Sequence, residues 1–517
     1  MQESIGSLFY FLIQGSRCLC AKEGRNWFYN PARACPERAS VVSSQFLKKA
    51  AAVAALLLCL STAASAGQKA PQRPEGLTYP PLAFHLPKTV RVQLKNGMVL
   101  HLLEDHELPL VNIQAMVRIG GAWEPADKAG LASLTGTIWR AGATEGLSPA
   151  ALDEKLEFMG AVLETSIGSE SGSITLNVMT HNLGEGLQLF ADIVRAPAFN
   201  EQRFNTLKAQ MIETIAREED EPETLVEREF HRLLFAGHPF GAVPDTASVK
   251  RITREDCIGF YRRHIGPESF IVAINGDFNA DDMVRRFEAL FGDFLRASGP
   301  VGPLPELPAD ITPGVYVLDK PLPQTGIRMG HFGLSRKNPD FDAMRVTNYV
   351  VGGGGFASRM MKEIRTVRGL AYSVYSYLGM SDGTKGAFTV GGETKAASTH
   401  EFIDTARGIM NGVAAEGVTE PELTLAKAAL INSFVFAFDK KSDVAQRYAW
   451  MEYYGLPDDY LEGLRERIQK VTMADVKRVA QKYLKPDRMV IVALGDKKLI
   501  GEQLEKIGPV QTIEPAQ

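Results

Sequence analysis

Cysteine is almost missing from the bulk of this 517-residue chain. Of five cysteines, Cys18, Cys20, Cys35 and Cys59 fall near the start, and only Cys257 follows. A lone thiol excludes an internal disulfide framework downstream. An excess of basic charge is missing too. Lys and Arg number 57 against 61 Asp and Glu, a net charge of −4. Nucleic-acid binding needs a basic face, and nothing here suggests one. No stretch reaches the roughly 18 to 20 consecutive apolar residues of a membrane-spanning helix. What is present, 45% hydrophobic and 23% charged residues, describes a globular chain long enough for two or more domains.

One early segment is a targeting signal. "QFLKKAAAVAALLLCLSTAASAGQ" places Lys48 and Lys49 before an apolar run from Ala50 to Leu60 and ends on Ala64-Ser65-Ala66. A basic flank, an apolar core and a small-x-small end make a secretory signal cleaved after Ala66, hence a periplasmic protein. Residues 42–66 are that signal, and 1–41 read as a mis-set start or dispensable leader. Leu58 is larger than the residue lipoprotein processing prefers before a cysteine such as Cys59. Residues 1–66 hold seven of the 57 Lys/Arg and three of the 61 Asp/Glu, which leaves 50 against 58 and a net charge of −8.

"HLLEDH", residues 101–106, offers His101, Glu104 and His106 as zinc ligands. The flanking "NGMVLHLLEDHELPLVNIQAMVRIG" reads strand, turn, strand. Positions five apart on a strand face opposite sides, and on a helix they lie about 140° apart. The segment is an ordinary strand end.

The chain repeats itself. "ITREDCIGFYRRHIGPESFIVAINGD" (252–277) aligns without gaps on "VTMADVKRVAQKYLKPDRMVIVALGD" (471–496), pairing Thr253 with Thr472, Asp256 with Asp475 and Gly276-Asp277 with Gly495-Asp496. Each copy is an N-capped helix, a Pro turn and an apolar strand. The same offset of 219 sets "EQRFNTLKAQMIE" (201–213) on "EPELTLAKAALIN" (420–432), with Lys208-Ala209 on Lys427-Ala428. Two blocks at one offset indicate a duplicated unit. The domains are 67–297 and 315–510, joined by the Pro-rich linker 298–314. Alternating strands beside amphipathic helices give an α+β class, each unit an antiparallel-rich sheet packed with helices.

With "GGAWEPADKAGLASLTGTIWRAGA", "FAGHPFG" and "GGGGFASRMMKEIRTVRGLAYSVYS" added, residues 85–510 resemble the insulinase/pitrilysin zinc peptidases, including the mitochondrial processing peptidase. The resemblance implies two such domains forming half of a clamshell. Active members carry H-x-x-E-H on the helix after "G-L-A" and a distant glutamate. Histidines at i and i+4 share a helix face and leave a position for a metal-activated water. Here those positions hold Ser133, Gly136 and Thr137, with Glu213 at the place of the distant glutamate. Neutral hydroxyls are poor zinc ligands, glycine is no base, and one carboxylate cannot hold the metal. Adding 219 to Ser133, Thr137 and Glu213 leads to Gly352, Phe356 and Asn432, so the second copy has no ligand set either. No cofactor is expected on this chain; zinc is expected on a partner.

"GGGGF" (Gly352, Gly353, Gly354, Gly355, Phe356) lacks the G-K-[ST] ending of a nucleotide loop. It reads either as a flexible connection with close backbone packing or, by the resemblance, as a loop that handles substrate peptide. His238 in "FAGHPFG" reads as a structural turn residue. "RTVRGLAYSVYS" keeps an Arg and a Tyr seven apart, Arg365 and Tyr372, which the resemblance implies are the candidate catalytic residues, donors to a substrate carbonyl and its oxyanion. Arg368 is nearer to Tyr372 but does not match the family position. The resemblance therefore implies a non-metal subunit that binds unfolded peptides and works with a homologous H-x-x-E-H subunit. The alternative is a catalytically inactive peptide-binding or structural member of the family, and a self-sufficient zinc peptidase needs a metal site of another kind.

Overall fold

The computed structural model describes residues 86–515, apart from 219, 300, 301, 304, 380–383 and 439. The leader, the signal and their four cysteines lie outside the described residues. Strands form where the sequence alternates or runs apolar. In the first half they are β1 (Val90–Gln93), β2 (Val99–Glu104), β3 (Leu110–Val117), β4 (Val162–Ile167), β5 (Gly172–Met179) and β6 (Phe270–Gly276). The second half has β7 (Gly314–Asp319), β8 (Gln324–Phe332), β9 (Val374–Leu378), β10 (Ala387–Lys395), β11 (Val490–Gly495) and β12 (Val510–Ile513).

The strands build two six-stranded sheets, ordered β1-β2-β6-β3-β5-β4 and β12-β7-β11-β8-β10-β9. β2 pairs parallel with β6, as β7 does with β11 and β12; the other pairs are antiparallel. Five strands thus correspond between the halves. The sixth position is filled from opposite chain ends, by β1 in one sheet and β12 in the other. The architecture is α+β, two mixed, antiparallel-rich sheets packed with helices.

β6, "FIVAING", and β11, "VIVALG", are buried at every residue. A strand apolar on both faces needs cover on both. Phe270, Val272 and Ile274 enter the core formed by the first half's own helices, while Ile271 and Ala273 face Val444, Ala445 and Ala449 of the helix Lys441–Tyr454. The second sheet mirrors this. Ile491 and Ala493 point into its own core, and Val490, Val492 and Leu494 pack on Val226 and Phe230 of the helix Pro222–Leu234. These two helices correspond at the offset of 219, and each covers the other half's sheet.

The duplicated motifs do the same work twice. Thr253 and Thr472 each close a capping box with Asp256 and Asp475. Lys208 Nζ donates to the Ile252 carbonyl at 2.6 Å and Lys427 Nζ to the Val471 carbonyl at 2.8 Å, each tying its helix to the residue before the cap. One pair of copies has diverged. Glu420–Phe438, 19 residues, is long and apolar enough by length and composition to cross a membrane. Within the fold it is fixed by Lys427 and by an Arg359–Glu422 ion pair at 2.7 Å.

The repeated Gly-Asp strand end yields a prediction. A Cβ on Gly276 would lie 2.0 Å from the Leu110 carbonyl oxygen, and its φ of +129° favours glycine; a Cβ on Gly495 would meet Thr325 Oγ1 at 3.2 Å. Gly276→Ala should cost about 3 kcal/mol or more through overlap and strain, and Gly495→Ala about 1 kcal/mol. Urea midpoints of the two variants measure the difference, and equal losses would contradict the geometry.

His331, buried on β8, is hydrogen-bonded through Nδ1 to the Phe332 carbonyl at 2.8 Å and accepts from the Lys485 N–H at Nε2 at 3.1 Å. Burial pushes its pKa down to about 4, and burial also lowers those of His101, His231 and His264. Their folded forms stay neutral at pH values where the unfolded chain is protonated. Stability should therefore fall as pH drops from about 6.5 towards 4, by up to ~3 kcal/mol from His331 alone. Asp340 and Glu422, each held down to about 2, lose their contributions only below the usual carboxylate range. Urea midpoints at pH 7, 5.5 and 4.5 test this; a flat profile would refute it.

Candidate functional site

Arg365 lies in Met361–Val367, a π-helix, a wide-turned form rare in proteins and frequent at functional positions. Gly369 ends the segment at a φ of +62°; its N–H donates to the Arg365 carbonyl at 3.2 Å, and the Leu370 N–H to the Ile364 carbonyl at 2.9 Å. The reversal returns Tyr372 over Arg365. Arg365 Cζ sits over two rings, 4.7 Å from the centre of Tyr372 and 4.6 Å from that of Phe356. Both rings are largely exposed, at 84% and 73%. Cation–π contact with both rings positions the guanidinium without using its N–H donors.

The neighbouring arginines are committed elsewhere. Arg359 pairs with Glu422, and Arg368 pairs with Glu363 at 2.8 Å and Glu401 at 3.1 Å. Among the described residues no carboxylate pairs with Arg365. The structure thus separates Arg365 from Arg368 by partner as the motif did by position.

Arg365 and Tyr372 open onto a cavity of about 520 Å³. Its floor escaped sequence reasoning. Arg328 on β8 is buried, 5.5 Å from the ring of Tyr375, and pairs with Glu227 at 2.5 Å and Glu223 at 2.9 Å on the helix Pro222–Leu234. The first half therefore buttresses the second half's site. Burial opposes the charge on Arg328, but Tyr375 and the two carboxylates outweigh it and raise its pKa. Gly391 lets Tyr375 lie across β10, since a Cβ there would be 2.7 Å from Tyr375 Oη. The corresponding pair in the first half is polar and uncharged, with Gln446 donating to Gln114.

The glycine run is helical rather than a flexible connection. Tyr349–Gly353 is a π turn and Gly355–Ala357 a 3₁₀ turn. Cβ atoms on Gly352, Gly353 and Gly354 would lie 2.4 Å from Ser376 N, 2.5 Å from Asn348 Nδ2 and 2.6 Å from the Tyr349 oxygen. Close packing accounts for these three. Gly355, at a φ of +55° with open space around it, and exposed Phe356 face outward.

The degenerate metal positions do not fit zinc. Ser133 and Thr137 share an exposed face of the helix Leu131–Ala141, and Thr137 Oγ1 donates to the Ser133 carbonyl at 3.1 Å. Gly136 is buried against β4; a Cβ there would be 2.3 Å from Ile167 N, and Thr165 Oγ1 donates to the Gly136 carbonyl at 2.7 Å. Exposed Glu213 pairs with Arg217 at 2.5 Å on its own helix. Among the described residues no three His, Cys, Asp or Glu side chains cluster as a metal site requires.

HLLEDH is divided as a strand end should be. Buried His101 contacts Glu452 at 2.7 Å and Thr89 at 3.1 Å, on the face covered by the helix Lys441–Tyr454. His106 is exposed and contacts Asp277 at 2.7 Å and Glu104 at 3.4 Å. His238 caps a 3₁₀ turn by accepting from the Phe240 N–H, and its other nitrogen contacts the Pro305 carbonyl at 3.0 Å.

Known proteins resemble this chain in family, sequence and fold. The family model described as "Insulinase (Peptidase family M16)" matches residues 100–243, and "Peptidase M16 inactive domain" matches 251–430. An uncharacterized zinc protease of Streptomyces coelicolor is 27% identical over 359 residues, 67% of this chain and 77% of its own length. The non-peptidase homolog YmxG of Helicobacter pylori is 24% identical over 400 residues, 76% of this chain and 91% of its own. The fold is shared with a peptidase M16 inactive domain from Pseudomonas fluorescens (TM-score 0.72, 24% identity, 79% of this chain and 98% of that one). It is shared also with the periplasmic protease PqqL of Escherichia coli (TM-score 0.69, 16% identity, 80% of this chain and 46% of that one). The chain belongs to the insulinase family, peptidase family M16, as a member whose first half lacks the zinc motif and whose second half is of the inactive-domain type.

Proposed function

We propose that this chain is the non-metal subunit of an exported, two-subunit zinc peptidase. It binds unfolded peptides and supplies Arg365 and Tyr372 as hydrogen-bond donors, while the zinc stays on a homologous H-x-x-E-H partner. The observation that carries the reading is the Arg365 guanidinium, in contact with two exposed rings beside an open cavity and unpaired with any carboxylate among the described residues. A pre-positioned guanidinium edge and a phenol are donors suited to a peptide carbonyl and to the negative charge it gains on attack. β9, which follows Tyr372, is the last strand of its sheet, so an extended peptide could pair along it.

One comparison supports the setting. PqqL is described as periplasmic, in keeping with a signal cleaved after Ala66, and this chain matches 46% of it, which leaves room there for a second such module. The second reading, a catalytically inactive peptide-binding or structural protein, is supported by the same close packing of β4 on Gly136, which both readings share.

Affinity capture of the tagged chain from its host's periplasmic extract separates the two readings. The expected result is a companion of similar size whose sequence contains H-x-x-E-H and which brings chelator-sensitive peptidase activity. Recovery of the chain without such a companion would transfer the assignment to the second reading.

A further inference from the structure

The duplication supplies an internal control for β9. Ala273 and Val492 correspond at the offset of 219, and so do Ile271 and Val490. Followed outward through the paired strands, the first of these leads to Glu164 in one sheet and Tyr375 in the other. The second leads to Ser166 and Tyr377 by the same path. Glu164 and Ser166 are exposed on β4, the last strand of the first sheet, so the fold accepts polar residues at these positions. Tyr375 and Tyr377, 36% and 55% exposed on one face of β9, are therefore not required by the fold.

The backbone of β9 is turned to make use of them. The Gly379 N–H donates to the Ala387 carbonyl at 2.7 Å, and with a period of two Tyr375 and Tyr377 also direct their backbone groups to β10. The N–H and C=O groups of Val374, Ser376 and Leu378 then point to the free edge. Asn348 Nδ2 stands 3.5 Å from the Ser376 carbonyl, a long contact that a peptide N–H can replace. A peptide added antiparallel bonds at those three residues. Its side chains beside Tyr375 and Tyr377 occupy the non-hydrogen-bonded positions, where side chains approach closest. The strand begins two residues after Tyr372, so the edge continues directly from the Arg365 and Tyr372 donors.

We infer that this edge selects extended peptides with two apolar side chains, aromatic or β-branched, two residues apart, and that Tyr377 sets the preference. The inference rests on the peptide-binding reading above and specifies its substrate class. Residues i and i+2 of an extended peptide share a face, so both meet a tyrosine; i and i+3 lie on opposite faces, and only one does. Aromatic pairs and aromatic–β-branched pairs across strands are the favourable ones. Tyr375 is already engaged with Arg328, its ring 5.5 Å from Cζ. Tyr377 is the more exposed of the two and has more surface to cover.

The test is fluorescence anisotropy of two labelled ten-residue peptides of identical composition with the full chain. Each has one Val and one Phe in a Ser/Gln background, two residues apart in one peptide and three apart in the other. The inference expects about fivefold tighter binding of the first. Tyr377→Ser, which installs the first copy's residue, should reduce the ratio below about twofold. Phe158→Ser removes an aromatic side chain that is 92% exposed elsewhere and should leave the ratio unchanged. Equal affinities, or a ratio that survives Tyr377→Ser, would overturn the preference and leave peptide binding intact. Self-association in sedimentation that disappears with Tyr377→Ser would give the edge to a second copy of the chain and also overturn it. Absence of binding by both peptides would remove peptide binding itself, and this inference with it.

Discussion

Rebuilding the metal motif as Ser133→His, Gly136→Glu and Thr137→His is expected to destabilise the first half severely and to load no zinc. The two outer positions are permissive. Ser133 and Thr137 are exposed on one helix face, so histidines there should cost within about 0.5 kcal/mol. Gly136 is the obstacle, because even a Cβ would press to 2.3 Å from Ile167 N and 2.8 Å from the Ser166 carbonyl carbon. Those are backbone atoms of a strand held along its length by β5, and they cannot turn aside as a flexible side chain could. Gly136→Ala alone should cost about 2–3 kcal/mol, and the glutamate more. Urea unfolding with metal analysis of the double and triple variants checks this. A triple variant that folds like the parent and carries one zinc would show that β4 can move.

The largest effect on activity is expected at Arg365. In the complex with the partner, Arg365→Ala should lower kcat by about 10²–10³, the loss typical of one oxyanion donor. The fold should hardly notice, since the side chain's charged contacts are two exposed rings. Arg365→Lys should recover little, because an ammonium neither stacks as a plane nor presents a forked edge. Tyr372→Phe keeps the ring contact and deletes the hydroxyl, and so separates positioning from donation. Arg368→Ala, at a residue bound to Glu363 and Glu401, should leave the rate unchanged. Steady-state kinetics on a quenched peptide tests all four, and a wild-type rate for Arg365→Ala would exclude a catalytic role.

Much of the fold was legible because the duplication is local. A capping Thr, a Pro turn and a Gly-Asp strand end declare themselves within some 25 residues, and both copies fold as the alignment at offset 219 implies. The exchange of helices was not legible. Pro222–Leu234 is amphipathic, which says that one face is covered without saying by which sheet. Lys441–Tyr454 spreads its apolar and aromatic residues around the helix and announces no covered face at all. The same limit hid the partner of His101, since Glu452 lies 351 residues away. At the site, the spacing of Arg365 and Tyr372 implied proximity only through the family likeness. The π-helix and the Gly369 reversal bring them together, and no short-range pattern announces a π-helix. The glycine run was misleading in isolation, because a need for close packing and a need for freedom both select glycine.

The central claim is that this chain contributes donors to a peptidase site but no metal. The most direct measurement is the zinc content and peptide-hydrolysis rate of the purified chain, alone and mixed with its H-x-x-E-H partner. The account expects no zinc and no hydrolysis from the chain alone, and chelator-sensitive hydrolysis from the mixture well above that of the partner alone. One zinc per chain with hydrolysis in the absence of any partner would contradict it.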